Sequence, residues 1–185
     1  MKIIKAENLL AEVGSDLGTS DWITIEQDRV NQFADVTEDH QFIHVDPEMA
    51  KKTPFGGPIA HGFLTLSLLS KFSTQCGFQI EDVKMGVNYG FEKVRFLAPV
   101  KVGKKVRGHF RLKAAEEKRP GQYLLTYEIS VEIEGEEKPA LVADWLGIDV
   151  HGIAKSQIFI QPIFCLLYTS PSPRDQRGSR MPSSA

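Results

Sequence analysis

The chain has 185 residues, of which 42% are hydrophobic and 25% are charged. This length and composition are typical of one globular domain with a substantial core. The net charge of −2, with lysine and arginine spread along the chain, indicates neither a nucleic-acid-binding surface nor a surface for anionic membranes.

Cysteine usage and the N-terminus predict the compartment. The two cysteines, Cys76 and Cys165, lie far apart in apolar surroundings. This spacing predicts neither a disulfide framework nor a zinc site, and Cys76 is expected to be a small core residue. The N-terminus lacks the apolar run of a signal peptide, and no uncharged stretch reaches the roughly 20 residues of a membrane span. The sequence therefore predicts a soluble, cytoplasmic protein.

The first part of the chain predicts one strand and two helices. Residues 22–25 are β-branched and aromatic, which favours a strand. Residues 26–36 carry apolar side chains at the spacing of an amphipathic helix. Asp46 and Pro47 then begin a short helix, because aspartate caps helices and proline suits the first helical position. Two prolines and two glycines make residues 53–58 irregular.

The segment from Ile59 to Phe78 predicts a long central helix. Its apolar residues are separated mainly by serine and threonine, and Lys71 is its only fully charged side chain. A helix on the surface of a protein carries a charged face. The sequence therefore predicts that protein covers this helix on most sides.

Four long strands are predicted after the helix, at residues 87–96, 106–113, 123–134 and 141–150. The second and third alternate apolar and polar residues, which is the period of strands with one solvated face. Turns that contain glycine or proline separate the strands. The predicted fold class is α+β, with a curved antiparallel sheet wrapped around one central helix.

The C-terminal residues differ in composition from the rest of the chain. The strand period fades from residue 151, and residues 170–185 are rich in serine, proline and arginine. A segment of this kind has no core-forming content and is predicted to be disordered. The sequence therefore predicts a domain at residues 1–150 and a non-native or disordered tail at residues 151–185, to which no function is assigned.

Two neighbouring motifs hold the residues that suit chemistry. The first, residues 37–47, places Asp39 and His44 five residues apart in a predicted loop. The second, residues 55–62, reads Phe-Gly-Gly-Pro-Ile-Ala-His-Gly and leads into the central helix. A carboxylate and an imidazole can position and deprotonate water, and a backbone N–H at a helix start can hold an oxyanion. These groups are the ones needed to add water to a polarised double bond.

The two motifs resemble those of the MaoC-like dehydratases, relatives of the (R)-specific enoyl-CoA hydratases. The resemblance covers residues 8–150, and residues 41–47 and 88–96 are similar to the nodulation protein N branch. It implies the hot-dog fold, in which a curved sheet grips a long helix. It also implies a homodimer or a higher homo-oligomer, because hot-dog domains commonly pair edge to edge and complete their sites at that interface.

The resemblance also implies a role for each motif residue. Asp39 and His44 would be the catalytic pair that activates water, and the Gly62 N–H would meet the thioester carbonyl. Ser70 matches a serine often found near the site in the family. The implied activity is the reversible hydration of trans-2-enoyl thioesters to (R)-3-hydroxyacyl thioesters. The implied substrate is an acyl-CoA or a related thioester, and neither a metal nor another cofactor is implied.

Other interpretations of these residues stay open. Glu38, Gln41 and Phe42 stand where the family usually has glycine, asparagine and proline. This departure favours a non-catalytic acyl-binding or scaffold protein, and hot-dog folds also support thioester hydrolysis. Asp39 and His44 by themselves are compatible with a loop carboxylate and a surface imidazole.

The remaining polar residues near the motifs have structural interpretations. His61 is expected to bond to backbone near the bend, His40 to be exposed, and Asp46 to cap a helix. Ser70 is expected to bond the carbonyl four residues back, and Gly62 also suits a close approach of helix and sheet. Four basic residues suit either CoA phosphates or a solvated strand face: Lys93, Arg95, Lys104 and Arg107.

Overall fold

The computed structural model of this protein describes residues 2–151, apart from the side chains of Lys2, Phe78 and Gln79. The tail predicted at residues 151–185 lies outside the described residues, except for His151. His151 ends the last strand of the sheet, so the folded domain extends at least one residue past the predicted boundary.

Most of the backbone is arranged in strands. The strands are β1 Lys2–Ile4, β2 Asp16–Thr19, β3 Ile23–Thr24, β4 Phe78–Ile80, β5 Val83–Phe96, β6 Lys105–Arg119, β7 Gln122–Ile133 and β8 Leu141–His151. The main sheet has the order β2-β6-β7-β8-β5, with β3 also paired to β6. Its pairings are antiparallel, whereas β1 and β4 form a separate parallel pair. The antiparallel sheet of long strands is therefore confirmed.

Two of the long strands exceed their predicted lengths. β5 begins at Val83 rather than at residue 87, and β6 continues to Arg119 rather than ending at residue 113. The extension of β6 carries exposed charged residues, so its apolar period stops while its pairing with β7 continues toward the turn. Hydrogen bonds between strands do not require an apolar side chain, which explains the difference.

The helices are α1 Gln27–Thr37, α2 Phe42–Val45, α3 Pro47–Ala50, α4 Gly62–Ser67 and α5 Leu69–Ser73, and a 3-10 helix spans Ala6–Glu12. The predicted amphipathic helix is α1 and the predicted short helix is α3. Asp46 caps α3, because its carboxylate accepts the N–H groups of Glu48 and Met49 at 3.0 Å. The loop predicted around Asp39 and His44 is corrected in one respect, since it contains the helical turn α2.

The central helix is shorter than predicted and consists of α4 and α5, which meet at Leu68. Its predicted start is wrong because residues 58–60 are extended and bond to the segment after β5. The Ala60 N–H donates to the Val100 carbonyl at 2.7 Å, and the Val102 N–H donates to the Pro58 carbonyl at 3.0 Å. Its predicted end is wrong because Gly77 has a φ of 91°, and β4 follows directly.

The buried face of the central helix packs on the concave face of the sheet. The core residues of the helix are Leu64, Leu68, Leu69 and Phe72. They pack with the inward residues that the alternating pattern of β6 and β7 predicted: Val106, Phe110, Ile129, Val131 and Ile133. At Gly108 a Cβ atom would lie 2.7 Å from the Phe110 ring and 3.0 Å from Phe72, so the close contact of helix and sheet requires glycine there.

The opposite face of the central helix is exposed within residues 2–151, and the prediction that protein covers most of it is therefore wrong for this part of the chain. Phe63 is 68% exposed. Ser67, Ser70 and Lys71 are exposed as well. The sheet curves around only one side of the helix, and the near absence of charge on the other side is not explained by burial here.

The N-terminal residues contribute elements that the sequence pattern did not predict. Leu9 of the 3-10 helix is fully buried in a second, smaller cluster with Ile4, Ile80 and Leu112. This cluster fixes β1 and β4 to the end of the main sheet. Across residues 2–151, no helix combines the length and the apolar content that crossing a membrane would require.

Candidate active site

His44 lies on the single helical turn α2 with its ring buried, 7% exposed. Its Nδ1 lies 2.7 Å from the backbone carbonyl oxygen of Ile59. Because a carbonyl oxygen only accepts hydrogen bonds, Nδ1 carries the proton and Nε2 carries a lone pair. The Gln27 side-chain amide donates to the His44 carbonyl at 2.8 Å and anchors α2 to α1.

Asp39 lies in the turn between α1 and α2, and its carboxylate is exposed. The Gln41 N–H contacts this carboxylate at 3.4 Å, a long distance that leaves most of its hydrogen-bonding capacity free. Glu38, just before it, ends α1 in the left-handed conformation with φ 60° and ψ 19°. That conformation favours glycine, the residue usual at this position in the family that the motifs resemble.

His61 is buried, 3% exposed, and contacts both Asp39 and His44. Its Nε2–H donates to the backbone carbonyl of Asp39 at 2.9 Å, which confirms the prediction that His61 bonds to backbone near the bend. Its ring stacks on the His44 ring, with centroids 3.8 Å apart and planes at 28°. Its Nδ1 is buried and has no hydrogen-bond partner among the described residues.

Asp39, His44 and His61 each bring one ligand atom to within 4.8 Å of the other two. A water molecule with tetrahedral hydrogen bonds of about 2.8 Å has partners roughly 4.6 Å apart, so the cluster has the size to share one water. Carboxylate and imidazole groups are also zinc ligands, so these three residues are the ones that could hold a metal ion among the described residues.

A groove of about 410 Å³ opens beside His44 at the start of the central helix. Gly62 and the buried Thr65 line it, and its other lining residues are apolar: Ile59, Ala60, Phe63, Phe96, Leu97, Ala98, Pro99, Val100 and Ala140. The Gly62 N–H donates to no acceptor within the described part of the chain. A Cβ on Gly62 would lie 3.0 Å from the Phe96 ring, so the predicted close approach at this glycine is also present.

Ser70 is not part of this groove. It is exposed on α5 and lines a second cavity of about 390 Å³, together with Cys76 and Asp149. Its hydroxyl makes no hydrogen bond with the described residues, so the predicted bond to the carbonyl four residues back is wrong. Cys76 is 8% exposed, and burial raises the pKa of its thiol to about 11, which confirms it as a core residue.

The basic residues considered for phosphate binding fall into two groups. Arg107 donates to Glu132 at 2.8 Å and lies 4.4 Å from the centre of the Trp22 ring, and Lys104 pairs with Glu136 at 3.7 Å. These two therefore have structural partners. Lys93 and Arg95 are exposed and make no ion pair with the described residues.

The two histidines of the first motif have pKa shifts in opposite directions. Burial is the main cause that lowers the pKa of His44, and the charge of His61 lowers it further. The Ile59 carbonyl and the Asp39 charge act against this shift. His40 is exposed, as predicted, and its hydrogen bond to Asp35 at 3.0 Å raises its pKa. His44 is therefore neutral near pH 7, with Nε2 available to accept a proton.

Sequence reasoning missed two features of the site. Thr65 and Phe96 line the groove, but they lie in an apolar helix and in a strand that the pattern explained by packing alone. The stacking of His61 on His44 was also missed, because the two are 17 positions apart and only the extended residues 58–60 bring them together. The signal in the sequence from which this contact could have been suspected is the position of His61, directly before Gly62 at the start of the central helix.

Comparisons with known proteins identify MaoC-like proteins as relatives of this chain. The MaoC-like domain family matches residues 8–133 of the chain. Nodulation protein N of Rhizobium meliloti (strain 1021) is 49% identical over 149 residues, which are 80% of this chain and 92% of the relative. 3-Hydroxyacyl-thioester dehydratase Z of Mycobacterium tuberculosis is 50% identical over 137 residues, which are 74% of this chain and 90% of the relative.

A solved structure confirms the hot-dog fold that the resemblance implied. The (R)-hydratase from A. caviae involved in PHA biosynthesis matches with a TM-score of 0.61 and 28% sequence identity, covering 74% of this chain and 95% of that one.

The opposite pKa shifts of His40 and His44 are measurable in one sample. In an NMR titration of the ring signals, His44 is expected to have a midpoint below that of a free histidine, because burial disfavours its charged form. His40 is expected to have a midpoint above it. The variants His40→Gln and His44→Gln assign the signals. A midpoint for His44 at or above that of His40 would contradict the described burial of its ring.

Proposed function

Because this chain belongs to the MaoC-like dehydratase family, as its motifs predicted, we propose that it is a hydro-lyase that reversibly hydrates trans-2-enoyl thioesters to (R)-3-hydroxyacyl thioesters. Its relatives include dehydratases and a hydratase, which are lyases. The observation that carries the proposal is the arrangement of Asp39 and His44. A nitrogen of the buried His44 ring lies within 4.8 Å of an oxygen of the exposed Asp39 carboxylate. His44 also lines a largely apolar groove.

The proposed chemical step uses these groups in order. A water held between the Asp39 carboxylate and His44 Nε2 attacks the β-carbon of the enoyl group while the pair accepts a water proton. The electrons of the double bond move toward the thioester carbonyl, which becomes an enolate oxygen. The Gly62 N–H would donate a hydrogen bond to that oxygen. The pair then returns the proton to the α-carbon, which completes the addition of water.

The groove supports an acyl thioester as the substrate class. Its apolar lining suits the hydrocarbon part of an acyl group, and Gly62 lies in the same lining as His44. An acyl-CoA would carry phosphates outside the groove. Lys93 and Arg95 lie on β5, the strand that ends at the groove residue Phe96, and they are exposed and without ion pairs among the described residues. A related acyl thioester on a carrier protein has the same reacting group and is expected to use the same pair.

We also propose that the active form is a homodimer that pairs along β5. β5 is an edge strand of the sheet: one of its sides pairs with β8, and no described strand pairs with the other. Some of its apolar side chains are exposed, Met85 by 46%, Val87 by 44% and Phe96 by 47%. A long, exposed apolar edge strand is a template for pairing with another chain. Because Phe96 also lines the groove, a partner on this edge would lie near the active site.

Loss of the acid is expected to abolish hydration. With crotonyl-CoA, the wild-type chain should remove the absorbance of the enoyl thioester without releasing free thiol. Asp39→Asn should lower kcat/KM by about a hundredfold or more, because it removes one half of the acid–base pair.

The matched control is Asp46→Asn, at the aspartate two residues after His44. Its carboxylate caps α3, and asparagine caps equally well, so its activity should equal that of the wild type. Release of thiol by the wild type would instead indicate a thioester hydrolase. An Asp39→Asn variant as active as the wild type would rule out the proposed acid.

Two variants at Gly62 separate its N–H from its small size. His61 has extended backbone with φ −60° and ψ 138°, and Gly62 is the first helical residue, so proline fits at position 62. Gly62→Pro removes the N–H, and Gly62→Ala keeps it while adding the same Cβ near Phe96. We expect Gly62→Pro to lower kcat by a further factor of about 10²–10³ relative to Gly62→Ala. Equal rates in the two variants would contradict the oxyanion role.

The dimer is testable by light scattering during size-exclusion chromatography. The wild-type chain should have twice the monomer mass of 20.7 kDa. Val87→Lys should shift the mass toward the monomer, because lysine on an edge strand opposes pairing. Val36→Lys is the matched control, since Val36 is 80% exposed on α1, away from the proposed edge. A monomeric wild-type chain would contradict the proposal.

A further inference from the structure

We propose that His61 is a positioning residue for the hydration, which holds the Asp39 backbone and the His44 ring in place from a buried position behind both. This inference rests on the proposed function of Asp39 and His44 as the catalytic pair. His61 makes one contact with each member of the pair.

The contact with Asp39 is a hydrogen bond. The Nε2–H of His61 donates to the Asp39 carbonyl at 2.9 Å. Asp39 itself is exposed, and within residues 2–151 its side chain has only the long hydrogen bond from the Gln41 N–H at 3.4 Å. The position of the carboxylate therefore depends on the position of its backbone, and His61 fixes that backbone.

The contact with His44 is made through the faces of the two rings. The centroids are 3.8 Å apart, so one side of the His44 ring is occupied by His61. The hydrogen bond between Nδ1 and the Ile59 carbonyl restricts rotation of the His44 ring about its Cβ–Cγ bond, but it still allows the ring plane to tilt. The stack removes this freedom and sets the direction in which Nε2 points.

His61 is itself held rigidly. It is the residue before α4, and its carbonyl accepts the Thr65 N–H at 3.2 Å. The Phe33 ring lies 5.0 Å from the His61 ring. His61 thus connects the start of the central helix to both halves of the first motif.

The stack also bears on the pKa of His44. Burial is the largest cause that lowers this pKa, and the His61 ring contributes to the burial because it covers one face of the His44 ring. The titratable groups that act on His44 are His61 and Asp39, of which His61 lowers and Asp39 raises its pKa. Removal of His61 is therefore expected to raise the pKa of His44.

His61 is not among the residues that line the groove, so it is not expected to bind substrate. A positioning role therefore predicts a change in kcat with KM little changed. A merely structural role predicts a loss of stability without a specific effect on the His44 ring.

Two variants remove one contact each. In His61→Gln the side-chain amide can donate to the Asp39 carbonyl, but the stack is lost. In His61→Phe the stack is kept, but the donor is lost. Each is expected to lower kcat for crotonyl-CoA by about tenfold to a hundredfold, because a displacement of about 1 Å in a catalytic group has effects of this size. The NMR midpoint of His44 should rise in both, since the influence of His61 that lowers the pKa of His44 is gone.

The pH profile gives the same information during turnover. His44 acts as a base only when neutral, so the acid limb of kcat/KM should move to higher pH as the pKa of His44 rises. The control is Phe72→Leu, a fully buried residue on α5. It is expected to lower the free energy of unfolding while leaving the acid limb and the His44 midpoint unchanged.

The outcomes separate the possibilities. If both His61 variants keep the wild-type kcat and the wild-type His44 midpoint and lose only stability, His61 is structural and the proposal is wrong. If His61→Phe does not fold, His61→Gln decides, because a wild-type kcat without the ring would overturn the role of the stack. If the wild type does not hydrate enoyl thioesters, the proposed function fails, and the His44 midpoint in the variants still tests the positioning.

Discussion

The hydrogen bond from the His44 ring to the Ile59 carbonyl is the interaction on which the site depends. Its length of 2.7 Å and its carbonyl acceptor determine that Nδ1 carries the proton, so that in the neutral ring Nε2 carries the lone pair. The Ile59 carbonyl can position the ring because hydrogen bonds to other segments hold the backbone of residues 59 and 60. Its N–H donates to the Ile43 carbonyl at 3.0 Å, and the next residue, Ala60, donates to Val100 at 2.7 Å. The extended residues 58–60 therefore fix the imidazole relative to residues 100–102, which connect β5 to β6.

The same segment explains how the chain accommodates residues that depart from the family pattern. Glu38 takes up the left-handed conformation in which glycine is usual, at a cost on the order of 1 kcal/mol. Gln41 and Phe42 lie at the start of α2, which forms without the proline that is usual there. The hydrogen bonds from Ile59 and His61 into residues 39–44 hold this turn from outside. The turn therefore does not depend on its own sequence alone.

Two surfaces of the described domain expose apolar side chains. The exposed side of the central helix carries Phe63 beside serines, and the outer edge of the sheet is β5, which exposes Met85 and Val87. Each surface also has charged residues, Lys71 on the helix and Lys84, Glu92, Lys93 and Arg95 on β5, so exposed apolar side chains lie among charged ones. One homodimer that covered both would account for the exposed apolar side chains of each, and it would bring the partner close to Phe96 and to the groove.

Much of the fold and part of the site were predictable from local sequence. The alternation in β6 and β7, the cap at Asp46 and the paired motifs each depend on residues close together in the chain, so the strands, α3 and the pairing of Asp39 with His44 could be read directly. The limits of the central helix could not, because the start of the predicted segment pairs with residues 100–102, about 40 positions away. The exposed face of that helix was mispredicted for a related reason, since the absence of charge does not reveal which surface is covered.

What the sequence by itself determined is the class of fold, the family and the chemical types of the proposed catalytic pair, because these follow from periodicity and from short motifs. Only the tertiary structure decided which nitrogen of His44 is free, that His61 stacks on it, and that Ser70 lines another cavity. Those features depend on contacts between segments distant in the chain, which no local pattern encodes. A hydrogen bond to one carbonyl, made 15 residues away, fixes the base of the proposed reaction.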